Sequence, residues 1–167
     1  LSPTSAAQVR ANFGDDVPIL DGGPASAGLE STIIAVDGDT VTQLRAGALP
    51  RGEIEALLGR PIAMAAANSA ITAPGMLASH YAPEAHLRLD AAAAEPDEAY
   101  LGFGPGPAPP YTLSAIGDLR EAARNLFSML HDMDRTHRRI AVAPIPAHGL
   151  GEAINDRLRR AAAPRDR

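Results

Sequence analysis

A glycine-rich loop that ends in two hydroxyl side chains is the first feature of the sequence that could do chemistry. The loop reads DGGPASAGLE over residues 21–30, and Ser31 and Thr32 follow it at the start of a β-branched run. Glycine lets the backbone approach a ligand closely, and the hydroxyl groups can donate hydrogen bonds to that ligand. The loop has neither the P-loop nor the dinucleotide-binding spacing, so a flexible connection into a hairpin is the alternative interpretation.

A single arginine is expected close to this loop. Two β-branched runs flank the turn sequence DGD at residues 37–39, which is typical of a β-hairpin. If the strands pair about this turn, Arg45 at the end of the second strand lies opposite Ser31. A guanidinium at that place can pair with a phosphate or a carboxylate. A solvated arginine at a strand end is the other interpretation, and the residues alone leave both open.

The third candidate lies in the least regular part of the chain. Residues 71–85 read ITAPGMLASHYAPEA and contain the adjacent pair His80 and Tyr81. Tyr81 has both a stacking face and a hydroxyl, so it could act as a lid element on a base or a phosphate. A linker that is anchored by burying one aromatic ring would explain it equally well. The histidines of the chain form no HExxH or His-x-His pair, so no zinc site is predicted.

Two groups of regular elements must position these residues. In the first group we expect a short helix capped within residues 2–5, a strand at 17–20, the hairpin at 31–47 and an amphipathic helix at 49–59. The apolar face of that helix would consist of Ile54, Leu57 and Leu58, and Gly59 would end it. The apolar residues of 60–83 follow neither the helical nor the strand period, so this segment is either an interdomain linker or an ordered functional loop.

The second group alternates between strands and helices. Strands are predicted at residues 85–90, 98–104, 111–116 and 138–146, and helices at residues 118–135 and 151–163. Asp118 would cap the first of these helices, and an apolar stripe follows it at helical spacing. Such alternation predicts a parallel α/β sheet, so the fold class is α/β with a small Rossmann-like domain after the irregular segment.

Composition narrows the function classes. The chain has 167 residues, of which 46% are hydrophobic and 4% are aromatic, and its net charge is −5. Every basic residue is arginine, so chemistry that needs an amine of this chain is excluded. The negative charge argues against a surface devoted to nucleic acid, although DRTHRR at residues 134–139 is a local basic cluster. The lack of cysteine and of long apolar runs predicts a cytoplasmic chain without membrane contact.

Four segments together resemble the threonylcarbamoyl-AMP synthase family. They are SPTSA, LDGG…GLESTI, LRAGALP and APGMLASHYAP, in this order and spacing. The resemblance is to the two-domain type and covers essentially the whole chain. It implies the C-terminal part of a YrdC-like α/β catalytic domain at residues 1–60, a linker and active-site lid at 61–83, and the Rossmann-like domain at 84–167.

The resemblance also implies site residues and substrates. Ser2, Arg45 and Tyr81 match residues that contact ATP, and Ser31 matches a serine that holds L-threonine. The implied reaction joins L-threonine and bicarbonate, activates the product with ATP and releases pyrophosphate, normally with Mg²⁺, for which no ligand is identifiable. L-threonylcarbamoyladenylate would then pass to the tRNA threonylcarbamoyl-transfer machinery, and no catalytic residue is assigned.

Two departures from the family pattern limit this expectation. The lysine and arginines that bind the triphosphate in the family would precede Leu1. The sequence also opens with LSPTSAAQV, in which a helix cap is already present at residue 2. We therefore expect a fragment that begins inside a domain and is inactive alone. Many members also have basic or aromatic residues where this chain has Leu77, Ala78 and Ser79. The alternative function is a non-catalytic Rossmann-like module that binds protein, or double-stranded RNA or tRNA directly.

Overall fold

The computed structural model describes residues 1–66, 82–106 and 109–163. We call residues 1–66 the N-terminal region, and residues 82–106 with 109–163 the C-terminal region. Each region contains one β-sheet, and the two sheets differ in strand direction and in how completely they are covered.

The N-terminal region holds a three-stranded sheet flanked by two short helices. Its elements are α1 (Ala6–Phe13), β1 (Ile33–Asp37), β2 (Thr40–Arg45), α2 (Arg51–Leu58) and β3 (Ala63–Met64). Strands β1 and β2 form the predicted antiparallel hairpin, in which Asp37 faces Thr40 across the turn and Ile33 faces Arg45. Ser5 caps α1 by accepting a hydrogen bond from the amide of Gln8.

Two predictions in this region are wrong. Residues 17–20 form no strand, because Pro18 lacks an amide proton for a ladder and the Leu20 side chain is 99% exposed. Conversely, β3 lies where only irregular chain was predicted, and it pairs in parallel with β2. A strand of two residues is too short to produce a hydrophobic period, so nothing in the sequence marked it.

The C-terminal region is a four-stranded parallel sheet with two helices, as predicted. The chain runs through β4 (His86–Arg88), β5 (Ala99–Gly102), β6 (Tyr111–Thr112), α3 (Leu119–Asp134), β7 (Arg139–Val142) and α4 (Leu150–Ala162). The strand order is β4-β7-β5-β6, and the three pairings are parallel. Asp118 caps α3 through the amide of Glu121, at 2.7 Å.

The main core lies in the C-terminal region. Apolar side chains of both helices and of the sheet are almost fully buried there, among them Leu101, Leu126, Leu130, Ile140 and Ile154. At about 25 cal/mol per Å² of buried apolar surface, this cluster is the main source of stability in the described part. Leu29 of the N-terminal region belongs to the same cluster, so the two regions share one core.

The N-terminal region, by contrast, leaves many large apolar side chains uncovered. Leu57 on α2 is 88% exposed and Val36 on β1 is 67% exposed. The predicted apolar face of α2 is therefore only partly covered: Ile54 is half-buried, whereas Leu57 and Leu58 are exposed.

Candidate functional site

The structure brings the Gly-rich loop and the hairpin together at Ser31 and Arg45. Nη2 of Arg45 donates a hydrogen bond to the carbonyl oxygen of Ser31 at 2.8 Å and lies 3.4 Å from its hydroxyl. Arg45 is only 9% exposed, whereas Ser31 is exposed. The hairpin was expected to place Arg45 opposite Ser31, and that register is wrong: Arg45 faces Ile33 in the ladder and reaches Ser31 through its side chain.

A close backbone contact supports this part of the loop. A Cβ added at Gly47 would lie 2.4 Å from the carbonyl oxygen of Glu30 and 2.4 Å from the amide of Thr32. The LRAG segment can therefore pack on residues 30–32 only because it has glycine at this position. The amide of Ala48 also donates to the Glu30 carbonyl at 2.9 Å, which fixes the loop against the end of the hairpin.

Ser2 joins the same cluster through a carboxylate. Its hydroxyl donates to Oε1 of Glu30 at 2.5 Å, and the two residues are 28 positions apart. Burial alone would raise the pKa of Glu30, but hydrogen bonds from Ser2 and Arg157 outweigh burial and hold that pKa below its usual value. Glu30 is thus ionised at neutral pH and accepts both hydrogen bonds as a carboxylate.

Sequence reasoning missed two members of this cluster. Arg157 on α4 is 1% exposed, and its Nε donates to Oε2 of Glu30 at 2.8 Å. His131 on α3 places Nε2 3.1 Å from the carbonyl oxygen of Ser2. A signal for Arg157 was present, because it follows Ala153 and Ile154 at helical spacing on the apolar face of α4. The sequence contains no comparable signal for His131.

A cavity of about 220 Å³ lies beside Arg45, between the hairpin and α4. Arg45 and Gln43 of β2 line one side, and Asn155 and Arg159 of α4 line the other. The buried face of β2 is therefore polar where it meets the second region. Glu152 and Asp156 line the same cavity, so it presents both arginine and carboxylate side chains.

The remaining predicted site features are placed as follows. Tyr81, with the linker residues 67–80, lies outside the described residues. Within the described ranges, no three histidine, cysteine or acidic side chains are grouped so that they could hold a metal ion. Binding of Mg²⁺ stays an expectation. In the same ranges, no helix combines the length and the apolar character that crossing a membrane requires.

The basic cluster at residues 134–139 has acidic neighbours. Arg138 pairs with Glu84 at 2.9 Å, and Arg139 pairs with Asp97 at 3.2 Å. Arg135 lies 3.7 Å from Asp132 on its own helix. Because these arginines already face carboxylates, no observation in the described residues favours RNA contact at this place.

Comparison with known proteins gives the family of the chain. Residues 49–163 match the family model described as "Threonylcarbamoyl-AMP synthase, C-terminal domain". Threonylcarbamoyl-AMP synthase of Pyrococcus abyssi is 34% identical over 96% of this chain and 54% of its own length. The enzyme of that name from Bacillus subtilis is 38% identical over 53% of this chain and 27% of its own length.

A solved structure agrees with these matches. The crystal structure of P. abyssi Sua5 complexed with L-threonine superimposes with a TM-score of 0.81 at 31% identity, covering 96% of this chain and 54% of that one. The chain thus spans about half the length of the P. abyssi relative. The family model covers more than half of the chain, with the described fold in agreement, so the chain belongs to the family of the threonylcarbamoyl-AMP synthase C-terminal domain.

Proposed function

We propose that this chain is the C-terminal part of an enzyme that forms L-threonylcarbamoyladenylate from L-threonine, bicarbonate and ATP. The enzyme would be a nucleotidyltransferase that releases pyrophosphate, and its product would serve the threonylcarbamoyladenosine modification of tRNA. A cytoplasmic location is part of the same proposal. The observation that carries it is the convergence of three separate segments on one cluster, through Ser2, Glu30, Ser31 and Arg45.

The cluster has the chemistry that such a reaction needs. In the proposed first step, the amine of threonine attacks the bicarbonate carbon, and a carbamate forms with loss of water. A carbamate oxygen then attacks the α-phosphorus of ATP, and pyrophosphate leaves with the electron pair of the broken P–O bond. Both steps depend on positioning and on compensation of negative charge rather than on a protein nucleophile.

We propose that the described residues include positioning groups for L-threonine and for ATP. Ser31 is exposed and can donate its hydroxyl to threonine, and the Arg45 cation behind it can offset anionic charge. Ser2 lies on the other side of Glu30, and we propose that it contacts ATP. A P. abyssi relative has been crystallised with L-threonine, and that supports threonine as the amino-acid substrate here.

We propose that activity requires the part of the protein that corresponds to the remaining half of the relatives. Two observations support this: the chain spans 54% of the P. abyssi enzyme, and its N-terminal region exposes apolar side chains such as Leu57 and Val36. We propose that this remaining half covers that surface and supplies the groups that bind the triphosphate.

Pyrophosphate release tests the proposal. We call the longer protein one that joins this chain to the half found in its relatives. The longer protein and the 167-residue chain are each incubated with ATP, bicarbonate and L-threonine, and pyrophosphate is measured with and without threonine. We expect threonine-dependent release by the longer protein only, and a lower rate in its Ser31→Ala variant. Release that does not depend on threonine, or no release by the longer protein, would contradict the proposed activity.

A further inference from the structure

The loop that carries Ser31 is fixed on one side by the C-terminal region. A Cβ added at Gly28 would lie 2.3 Å from the carbonyl oxygen of Ala123 and 2.4 Å from Cα of Arg124, both in α3. Gly28 also has a φ of 70°, a conformation that other residues rarely adopt. Leu29 is buried in the core of the C-terminal region. Residues 28 and 29 therefore pack against that region.

Glu30 continues this attachment through the buried guanidinium of Arg157. Besides its bond to Glu30, Arg157 donates Nη2 to the carbonyl oxygen of Ala46 at 2.9 Å. One side chain of α4 thus holds the loop and the end of the hairpin at once. Because a guanidinium is planar and directs its donors at fixed angles, it sets the distance between these two segments.

Ser2 is tied to the C-terminal region twice. Its hydroxyl reaches Arg157 through Glu30, and its carbonyl oxygen lies next to His131 of α3. Residues from α3 and α4 therefore contact Ser2, one directly and one through Glu30. No residue of the C-terminal region needs to touch a substrate for this to affect the site.

We propose that Arg157 is a positioning residue, which holds Glu30 so that Ser2 and Ser31 keep the spacing that the two substrates require. The inference rests on the proposed function and extends it, since it gives the C-terminal region a part in building the substrate site. A clamp between the two regions that only adds stability is the competing explanation, and the experiment must separate the two.

The test compares two Arg→Met variants in the longer protein. Arg157→Met removes the proposed positioning contact. Arg51→Met is the matched control, because Arg51 on α2 pairs with Glu152 on α4 at 2.7 Å and so also joins the two regions. KM for threonine, KM for ATP, kcat and the melting temperature are measured for each variant.

We expect Arg157→Met to raise both KM values by about 10- to 100-fold, because a misplacement of about 1 Å can cost that much. Arg157→Lys keeps the positive charge beside Glu30 and should restore part of the loss, and it also serves if Arg157→Met does not fold. Arg51→Met should lower the melting temperature and leave both KM values unchanged. If both variants at position 157 lower only the melting temperature, Arg157 is merely a clamp and the proposal is overturned.

Amide hydrogen exchange gives a second readout that does not depend on activity. Exchange at residues 28–31 should be faster in Arg157→Met than in the wild-type protein, and unchanged in Arg51→Met. Absence of threonine-dependent pyrophosphate release by the wild type would refute the proposed function, and the exchange rates would then decide the positioning inference alone. Unchanged exchange at residues 28–31 in Arg157→Met would overturn it.

Discussion

Arg45 and Ser31 are held together by a hydrogen bond of 2.8 Å from the Arg45 guanidinium to the Ser31 carbonyl oxygen. A second donor of the same guanidinium, Nε, lies 3.3 Å from that oxygen. The arginine therefore supports the backbone of the Gly-rich loop in addition to any contact that it makes with a substrate. Any change at Arg45 should consequently affect the geometry of Ser31 as well as the local charge.

Replacement of Arg45 by lysine separates charge from geometry. Lysine keeps the positive charge but cannot form the forked contact with Ser31. We expect Arg45→Lys to lower kcat/KM for threonine by about 10- to 100-fold, since a hydrogen bond to a charged group contributes about 1.5–3 kcal/mol. Steady-state kinetics of pyrophosphate release in the longer protein measure the effect. A variant with wild-type kcat/KM would show that charge alone is required.

Tyr81 lies outside the described residues, and its proposed contact with ATP is open to a direct test. We expect Tyr81→Ala in the longer protein to weaken ATP binding, because the ring and the hydroxyl would both be lost. The melting temperature should stay unchanged. Tyr81→Phe is the matched control and retains the stacking face. Calorimetric titration with ATP measures the affinities. Equal ATP affinities of the wild type and the two variants would show that the segment only connects the two regions.

Two helical glycines provide a matched pair for stability. Gly151 and Gly52 are each the second residue of a helix, α4 and α2 respectively. A Cβ added at Gly151 would lie 1.8 Å from the carbonyl oxygen of Pro146, whereas one added at Gly52 meets nothing within 4 Å.

We expect Gly151→Ala to lower the free energy of unfolding by about 1–3 kcal/mol, because the helix must shift away from Pro146. Gly52→Ala should raise that free energy by about 0.4–1 kcal/mol, because alanine has less backbone freedom than glycine in the unfolded chain. Urea unfolding of the 167-residue chain measures both. Equal effects at the two positions would mean that the contact with Pro146 imposes no constraint.

His131 should make stability depend on pH. Burial lowers the pKa of His131 below its ordinary value, while the contact with the Ser2 carbonyl opposes this shift. The unfolded chain therefore binds more protons than the folded one as the pH falls through the ordinary histidine pKa of about 6.5. Stability should consequently fall below about pH 6.5.

The variant His131→Gln keeps an N–H donor and cannot titrate, so its stability curve should be flatter over this pH window. Urea unfolding at a series of pH values gives both curves. Parallel curves for the wild type and the variant would contradict the expected role of His131.

Glu98 should titrate far below an ordinary carboxyl group. Hydrogen bonds from Arg88, together with the amide of Glu95, lower the pKa of Glu98 to about 2. The Nη2 of Arg88 lies 2.5 Å from Oε2 of Glu98, whereas Arg139 is 3.5 Å away. The stability from this depressed pKa is present above the ordinary value of about 4.3 and is lost as the pH falls towards 2.

We therefore expect Arg88→Met to raise the pKa of Glu98 towards its ordinary value, and Arg139→Met to raise it less. Carboxyl carbon chemical shifts in an NMR titration measure the midpoint directly. A midpoint that stays near 2 in Arg88→Met would show that the arginine is not the cause.

The local elements were largely predictable from the sequence, because each has a signal within its own segment. The DGD turn between β-branched runs predicts the hairpin, and the apolar stripe after Asp118 predicts α3. The strand expected at 17–20 failed because Pro18 and an exposed Leu20 have no partner strand. Strand β3 was not predicted because two residues are too few to show the apolar–polar alternation of a strand.

The sequence by itself determined the hairpin, the helices and the parallel character of the C-terminal sheet. All of these follow from periodicity and turn chemistry over a few residues. Only the tertiary structure decided that Arg157 meets Glu30, which lies 127 residues earlier, and that His131 meets Ser2. Such contacts depend on how α3 and α4 pack against the Gly-rich loop, and no local pattern encodes that packing.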